Sequence, residues 1–312
     1  MLEDAVERRA RWHDRGSAVT DGSGHARAAS LEGIRLVTLA QNVPGPAAAA
    51  RLQSFGASVV KVEPPNGDPL ASSNPAWYGS LAAGQEVVRL DLKSDTGRDR
   101  LDKQLEEADI LLTSNRLAAL ARLGLGPQEV GVRYPRLCYV AITGYPAPHE
   151  DAPGHDLTYL ADLGLLSPPE MPRTLLADLA GAERAVSATL ALLLDRERGM
   201  GAGYAEIALS EAAAFFAEPL RYGITEPGAH LGGGFPGYGL YEARDGWIAV
   251  AALEAHFWES LLLELGLIVP TREDLEEVFQ QKTAEEWERW ATERDLPLVA
   301  LGDMPQKKEE TR

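Results

Sequence analysis

The chain has 312 residues, 45% of them hydrophobic and 25% charged, and its 30 Lys and Arg against 47 Asp and Glu leave a net charge of −17. That length buries a substantial core without cross-links, and the acidity argues against nucleic acid or an anionic membrane surface as partner. No apolar run approaches the roughly 20 residues needed to cross a bilayer, and residues 1–30 are charged rather than signal-like, so they are read as an N-terminal extension. The single cysteine, Cys138, lies in an apolar run and is expected to act as a small buried hydrophobe, which fits a reducing cytoplasm.

In chain order, residues 34–40 form a β-favouring run, broken by Pro44-Gly45-Pro46. A helical stretch over 47–55 follows, ended by Gly56, and then a strand over 58–62. Strand, helix and strand make one βαβ unit. The alternation continues with strands at 87–92, 110–112 and 137–142 and helical segments at 96–108, 118–123 and 127–133, which predicts a doubly wound, Rossmann-like α/β domain. A long Ala/Leu helix over 179–197, a strand over 204–209 and a helix over 211–222 carry that domain to residue 222. Glycines cluster over 223–237, read as a linker. Beyond it, 238–242 and 247–252 form a hairpin around Arg244-Asp245-Gly246. Helices over 255–265, 272–280 and 284–294 complete a smaller α+β domain spanning 238–312.

The residues with chemistry to offer lie between these blocks. In Gly154-His155-Asp156, Asp156 opens a helix, where unpaired N–H groups and the helix dipole favour its ionised form. An ionised, partly desolvated carboxylate can attack an activated acyl group; equally, it can simply cap the helix. His155 carries an imidazole, which titrates near pH ~6.5 when unperturbed and so serves as acid or base at neutral pH. Neighbouring helical positions point about 100° apart, so a reaction needing bases on both faces of a planar intermediate takes its second base from elsewhere. Asp178, in Leu176-Ala177-Asp178-Leu179, is the natural candidate, with helix capping as its structural alternative. Glu254 stands where a strand hands over to a helix, either facing substrate or serving as an N-terminal helix charge. The run Gly232-Gly233-Gly234 lacks the strand-to-helix setting of a dinucleotide fingerprint, and the spacing of His149, Glu150, Asp151, His155 and Asp156 matches no metal motif, so no metal is expected.

Six phrases in order carry a family likeness: Leu31-Glu32-Gly33-Ile34-Arg35; Val60-Lys61-Val62-Glu63-Pro64-Pro65 with Gly67-Asp68-Pro69; Leu90-Asp91-Leu92-Lys93; Arg122-Leu123-Gly124-Leu125-Gly126; Gly154-His155-Asp156; and Leu176-Ala177-Asp178-Leu179-Ala180-Gly181. Together they resemble the family III CoA-transferases of the carnitine/bile-acid-inducible (CaiB/BaiF) type, which include α-methylacyl-CoA racemases. The resemblance implies a Rossmann-like CoA-binding large domain, a small domain, and an interlocked homodimer. It implies an acyl-CoA thioester as substrate together with a carboxylic acid, and no tightly bound cofactor. In the family's transferases the aspartate matching Asp156 forms an acyl anhydride and then an aspartyl-CoA thioester. In its racemases the residues matching His155 and Asp178 exchange the α-proton, with the glutamate matching Glu254 close by.

The chain departs from the family where members carry a basic segment before Leu-Asp-Leu, since it has Ala82-Ala83-Gly84-Gln85-Glu86 instead. Lys61, Arg89, Lys93 and Arg116, with Glu63 beside them, are the positions left to meet the CoA moiety. The leading expectation is acyl-CoA:carboxylate CoA transfer through Asp156. The alternative is 2-methylacyl-CoA racemisation by His155 and Asp178, and a third reading is a non-catalytic acyl-CoA-binding protein on the same scaffold.

Overall fold

A computed structural model describes residues 30–302. The chain divides into two compact units, with the boundary between Phe216 and Ala217.

The first unit is built on six parallel strands: β1 (Arg35–Thr38), β2 (Ser58–Glu63), β3 (Glu86–Arg89), β4 (Ile110–Thr113), β5 (Cys138–Thr143) and β6 (Tyr204–Ala208). Their order is β3-β2-β1-β4-β5-β6. From β1 the chain builds outward to β2 and β3, then returns to add β4 on the other side of β1. That reversal makes the β1/β4 boundary the topological switch point, where the loops leaving two adjacent strands diverge and open a crevice.

Helices cover both faces, so the central strands are apolar on both sides. Ile110 and Leu112 of β4, with Cys138, Val140 and Ile142 of β5, face one core. It is shared with α1 (Pro44–Ser54), α7 (Asp156–Asp162), α8 (Leu176–Glu197) and α9 (Leu209–Phe216). The alternating residues Leu111, Tyr139 and Ala141 face the other core, with α4 (Asp95–Glu106), α5 (Leu117–Arg122) and α6 (Pro127–Arg133). The two-residue pleat period assigns these faces. Gly45 shows how tightly α1 is set against the sheet, because a Cβ there would lie 2.0 Å from the Cβ of Ala40.

Two short helices, α2 (Pro69–Ser73) and α3 (Pro75–Leu81), lie between β2 and β3, where the apolar pattern predicts no element. Each begins with a capping side chain followed by proline. Asp68 accepts from the Leu70 N–H and Asn74 from the Trp77 N–H, and proline at the first helical position loses no hydrogen bond. The expected helix over 211–222 is in fact α9 and a separate turn, α10 (Glu218–Arg221), divided just before Pro219, whose ring disfavours a continuous helix.

The second unit has its own core. An antiparallel sheet of β7 (Tyr238–Glu242), β8 (Trp247–Ala251) and β9 (Leu298–Ala300) packs on α11 (Ala255–Leu265), α12 (Arg272–Phe279) and α13 (Ala284–Thr292). Trp287, 1% exposed, anchors it and donates its Nε1–H to the carbonyl of Phe279. Capping boxes at Thr271/Asp274 and Thr283/Glu286 start α12 and α13. Strand β9 is only three residues long, and its pairing with β8 depends on a sequence separation of about fifty residues that no local pattern reveals.

Candidate active site

A cleft of about 590 Å³ opens at the carboxyl ends of β1, β4 and β5. Its walls are the loops expected at a switch point: Gln41 to Pro44 after β1, Ser114 to Arg116 after β4, and Thr143 and Gly144 at the end of β5. The remaining wall is the segment that enters α7, with His155, Tyr159 and, from the first turn of α8, Asp178.

Local chemistry explains how α7 is placed. The side chain of Thr158 accepts from the His155 N–H at 3.0 Å and donates to the His155 carbonyl, closing the turn at the helix start. Gly154 lies flat against the Tyr159 ring, where a Cβ would sit 2.5 Å from Cε1. Tyr159 itself is 2% exposed and stacks edge-on against Tyr145. Burial, then the neighbouring Tyr145, Asp178 and Asp156, push its hydroxyl up to about 12.

His155 is the residue before α7, and it is exposed. Asp156 is the first residue of α7 and only 6% exposed. It does not line the cleft. Its Oδ1 instead accepts the backbone N–H of Asp178 at 3.1 Å, tying the start of α7 to the start of α8. Asp178 does not cap its helix. Helix α8 begins at Leu176, earlier than the apolar pattern suggested, so Asp178 falls inside the first turn. Burial is the largest reason that its carboxyl titrates near 6, and the charge of Asp156 adds to it while His155 opposes.

The five positions assigned to the CoA moiety are not gathered at one place. Arg116 lines the cleft, is exposed, and is the one Lys or Arg among its described lining residues. Lys61 is 1% exposed, and its ammonium is held by Asp68 at 2.7 Å and by the Ala40 carbonyl at 3.1 Å, with Glu63 at 3.6 Å. Glu63 is equally buried and accepts from the Tyr78 hydroxyl at 2.6 Å. Its own partial burial, and then this bond to Glu63, raise the Tyr78 hydroxyl to about 12. Arg89 approaches Glu63 at 3.9 Å from an exposed position at the end of β3. Lys93 is exposed beyond it, and neither lines the cleft. Glu254 belongs to the second unit, where it precedes α11 without a side-chain cap bond.

Several cleft residues carry no local signal in the sequence. Asn42 holds a left-handed backbone at φ 63°, with its N–H donated to Asp68, and Ser114 accepts the Gln41 N–H. Their signal is strand order rather than local pattern: once β1 and β4 are neighbours, both loops must face the crevice. Glu150 also lines it, with one carboxylate oxygen buried and without a hydrogen-bond partner. Among the described residues, no group of three or more His, Cys, Asp or Glu side chains is arranged to hold a metal ion, and no helix is long and apolar enough to cross a membrane.

A parallel sheet of this order, with acid–base residues set where its central loops part, defines an α/β scaffold of the Rossmann-like kind. Sequence comparison makes the assignment specific. The chain matches the model of CoA-transferase family III over residues 31–309 and belongs to that family. It is 31% identical over 275 residues to the alpha-methylacyl-CoA racemase of Mus musculus, an alignment covering 82% of this chain and 68% of the mouse protein. It is also 29% identical over 344 residues to a probable fatty acyl-CoA transferase of Mycobacterium tuberculosis, covering 88% and 86% of the two chains. The crystal structure of a hypothetical protein from Mycobacterium tuberculosis superimposes with a TM-score of 0.77 at 27% identity, covering 88% of this chain and 85% of that one.

Proposed function

We propose that the protein exchanges the α-proton of a 2-substituted acyl-CoA thioester, the racemase chemistry named for its mouse relative. The observation that carries this reading is that His155 and Asp178 line one cleft, while Asp156 is buried and is not among its lining residues. A thioester carbonyl acidifies the C–H bond beside it. One of the two side chains takes that proton, the C–H electron pair moves into the carbonyl to give a planar enolate, and the other side chain returns a proton to the opposite face. Bases that titrate near the working pH suit such a step, because each is needed in both protonation states. A carboxyl near 6 meets that demand. Arg116 is the guanidinium available to a CoA phosphate in the cleft wall, where it offsets Glu150 and Asp178.

The leading expectation from sequence, CoA transfer, remains the second reading. It is favoured by the position of Asp156 at the start of α7, where one carboxylate oxygen is held by the Asp178 N–H. In that chemistry the free oxygen attacks the thioester carbon and the C–S bond breaks to give an anhydride; the freed CoA thiolate then attacks the Asp156 carbonyl, the donor carboxylate leaves, and the resulting aspartyl-CoA thioester passes CoA to the acceptor acid.

Incubation of the protein with 2-methylacyl-CoA in heavy water separates the two. Incorporation of deuterium at the α-carbon, lost in Asp178→Asn, supports proton exchange. Absence of incorporation from a panel of 2-substituted thioesters, together with intact-mass detection of CoA on Asp156, overturns it in favour of transfer.

A further inference from the structure

Glu150 lies on the connection between β5 and α7, and two successive turns fix that segment. The His149 N–H donates to the Pro146 carbonyl and the Ala152 N–H to the His149 carbonyl, both at 2.9 Å. The segment is packed as well as bonded, since a Cβ on Gly144, just past β5, would lie 3.8 Å from the Ala152 carbonyl oxygen. Glu150 is thereby held, half-buried, in the wall of the cleft. Its Oε2 is buried, and among the described residues no donor bonds to its carboxylate. Glu206 of β6 makes the contrast, because the Tyr204 hydroxyl donates to its Oε2 at 3.0 Å. Burial, then Glu206, Tyr139 and Glu150, raise the Tyr204 hydroxyl, so both carboxylates act on that phenol. The phenol has one proton to give, and Glu206 takes it.

We propose, resting on the reading of this cleft as an acyl-CoA site, that Glu150 is a specificity-determining residue: it accepts a hydrogen bond from a hydroxyl group on the acyl chain, so that the substrate is a hydroxylated acyl-CoA rather than a hydrocarbon one. A half-buried carboxylate loses hydration that a donor must replace, and here the protein supplies none. An ionised carboxylate only accepts, so the matching group must donate. An acyl chain ending in a carboxylate would set like charges together, and one ending in an ammonium would meet Arg116 in the same wall. A hydroxyl donates without adding charge. A chain that is hydrocarbon throughout would cover Glu150 and leave it with neither water nor partner, the arrangement that a polar site rejects most strongly.

The test measures binding and turnover separately. Dissociation constants are taken by titration calorimetry for 2-methylbutanoyl-CoA and its 3-hydroxy and 4-hydroxy derivatives, with the unaltered protein, Glu150→Gln and Glu150→Ala. Deuterium incorporation at the α-carbon is followed in heavy water with the same thioesters. One hydroxylated thioester is expected to bind the unaltered protein about 10- to 100-fold more tightly than the hydrocarbon one. Glu150→Ala is expected to abolish that preference and to bind the hydrocarbon thioester more tightly than the unaltered protein does. Glu150→Gln keeps an acceptor oxygen without the charge and is expected to retain part of the preference. Equal affinities for the three thioesters in the unaltered protein overturn the inference, as does a preference for the hydroxyl that survives in Glu150→Ala. Affinity needs no turnover. A hydroxyl preference in a protein that incorporates no deuterium therefore refutes the proton-exchange reading alone, whereas failure to bind any of the thioesters refutes the acyl-CoA site and this inference with it.

Discussion

Two pairs of carboxylates lie inside the first unit, and they are treated in opposite ways. Glu63 and Asp68 enclose the Lys61 ammonium, and Asp68 also accepts the backbone N–H groups of Asn42 and Leu70. Among the described residues, Asp156 and Asp178 have one backbone N–H between them and no ion pair. The first pair is a closed assembly in which a buried cation and its ligands hold the loop after β1. The second has no cation between its members, and burial and the charge of Asp156 push the Asp178 carboxyl up to about 6. Buried charge that is matched braces a structure, and buried charge that is left unmatched is available for proton transfer.

The largest expected effect breaks the braced pair. Lys61→Met leaves two buried carboxylates without their cation and should cost about 3–5 kcal/mol, read as a lowered midpoint in denaturant unfolding. An unchanged midpoint would show that water or another cation reaches this cluster. Next is the unmatched pair. The Asp178 carboxyl has a native pKa of about 6 against an ordinary value of 3.8, so the folded state binds the proton more tightly than the unfolded chain. Its contribution to stability is therefore complete below pH 3.8 and is lost as pH rises through 6, a swing of roughly 2–3 kcal/mol. Asp178→Asn should flatten that part of the stability curve and leave the protein no less stable at pH 8. A curve that keeps its slope would assign the proton to another group.

Gly154→Ala sharpens the comparison at the cleft. The new methyl meets the Tyr159 ring, and displacement of the ring should cost about 1–3 kcal/mol and slow proton exchange. Proton exchange at the unaltered rate would show that the ring yields without moving His155. The smallest effect is expected for Thr158→Val, which removes the acceptor of the His155 N–H. It should cost about 0.5–1.5 kcal/mol, seen as a small shift in thermal midpoint with KM unchanged.

Much of this was legible in the residues. The β-favouring runs around β1, β2, β4 and β5 read as strands because their central residues are apolar on both faces, and His155, Asp156 and Asp178 stood out as chemistry at helix starts. What the sequence could not reveal is distance. That Asp156 is buried and holds the Asp178 backbone is a contact between separate helices. The burial of Lys61 likewise depends on Asp68 folding back from the start of α2, although the chain shows only a lysine within a valine-rich strand. The expectation of a nucleophilic Asp156 comes from the family's prevailing chemistry, and labelling in heavy water decides between it and proton exchange by its neighbours.

The stretch between α7 and α8 invites practical use. Residues 167–171 are exposed, while the helices on either side are fastened by the Asp156 bond and by the core they share. A fluorescent tag or an affinity handle spliced into that surface connection should leave catalysis in working order, making it a natural port for immobilising the protein or for monitoring it in a living cell.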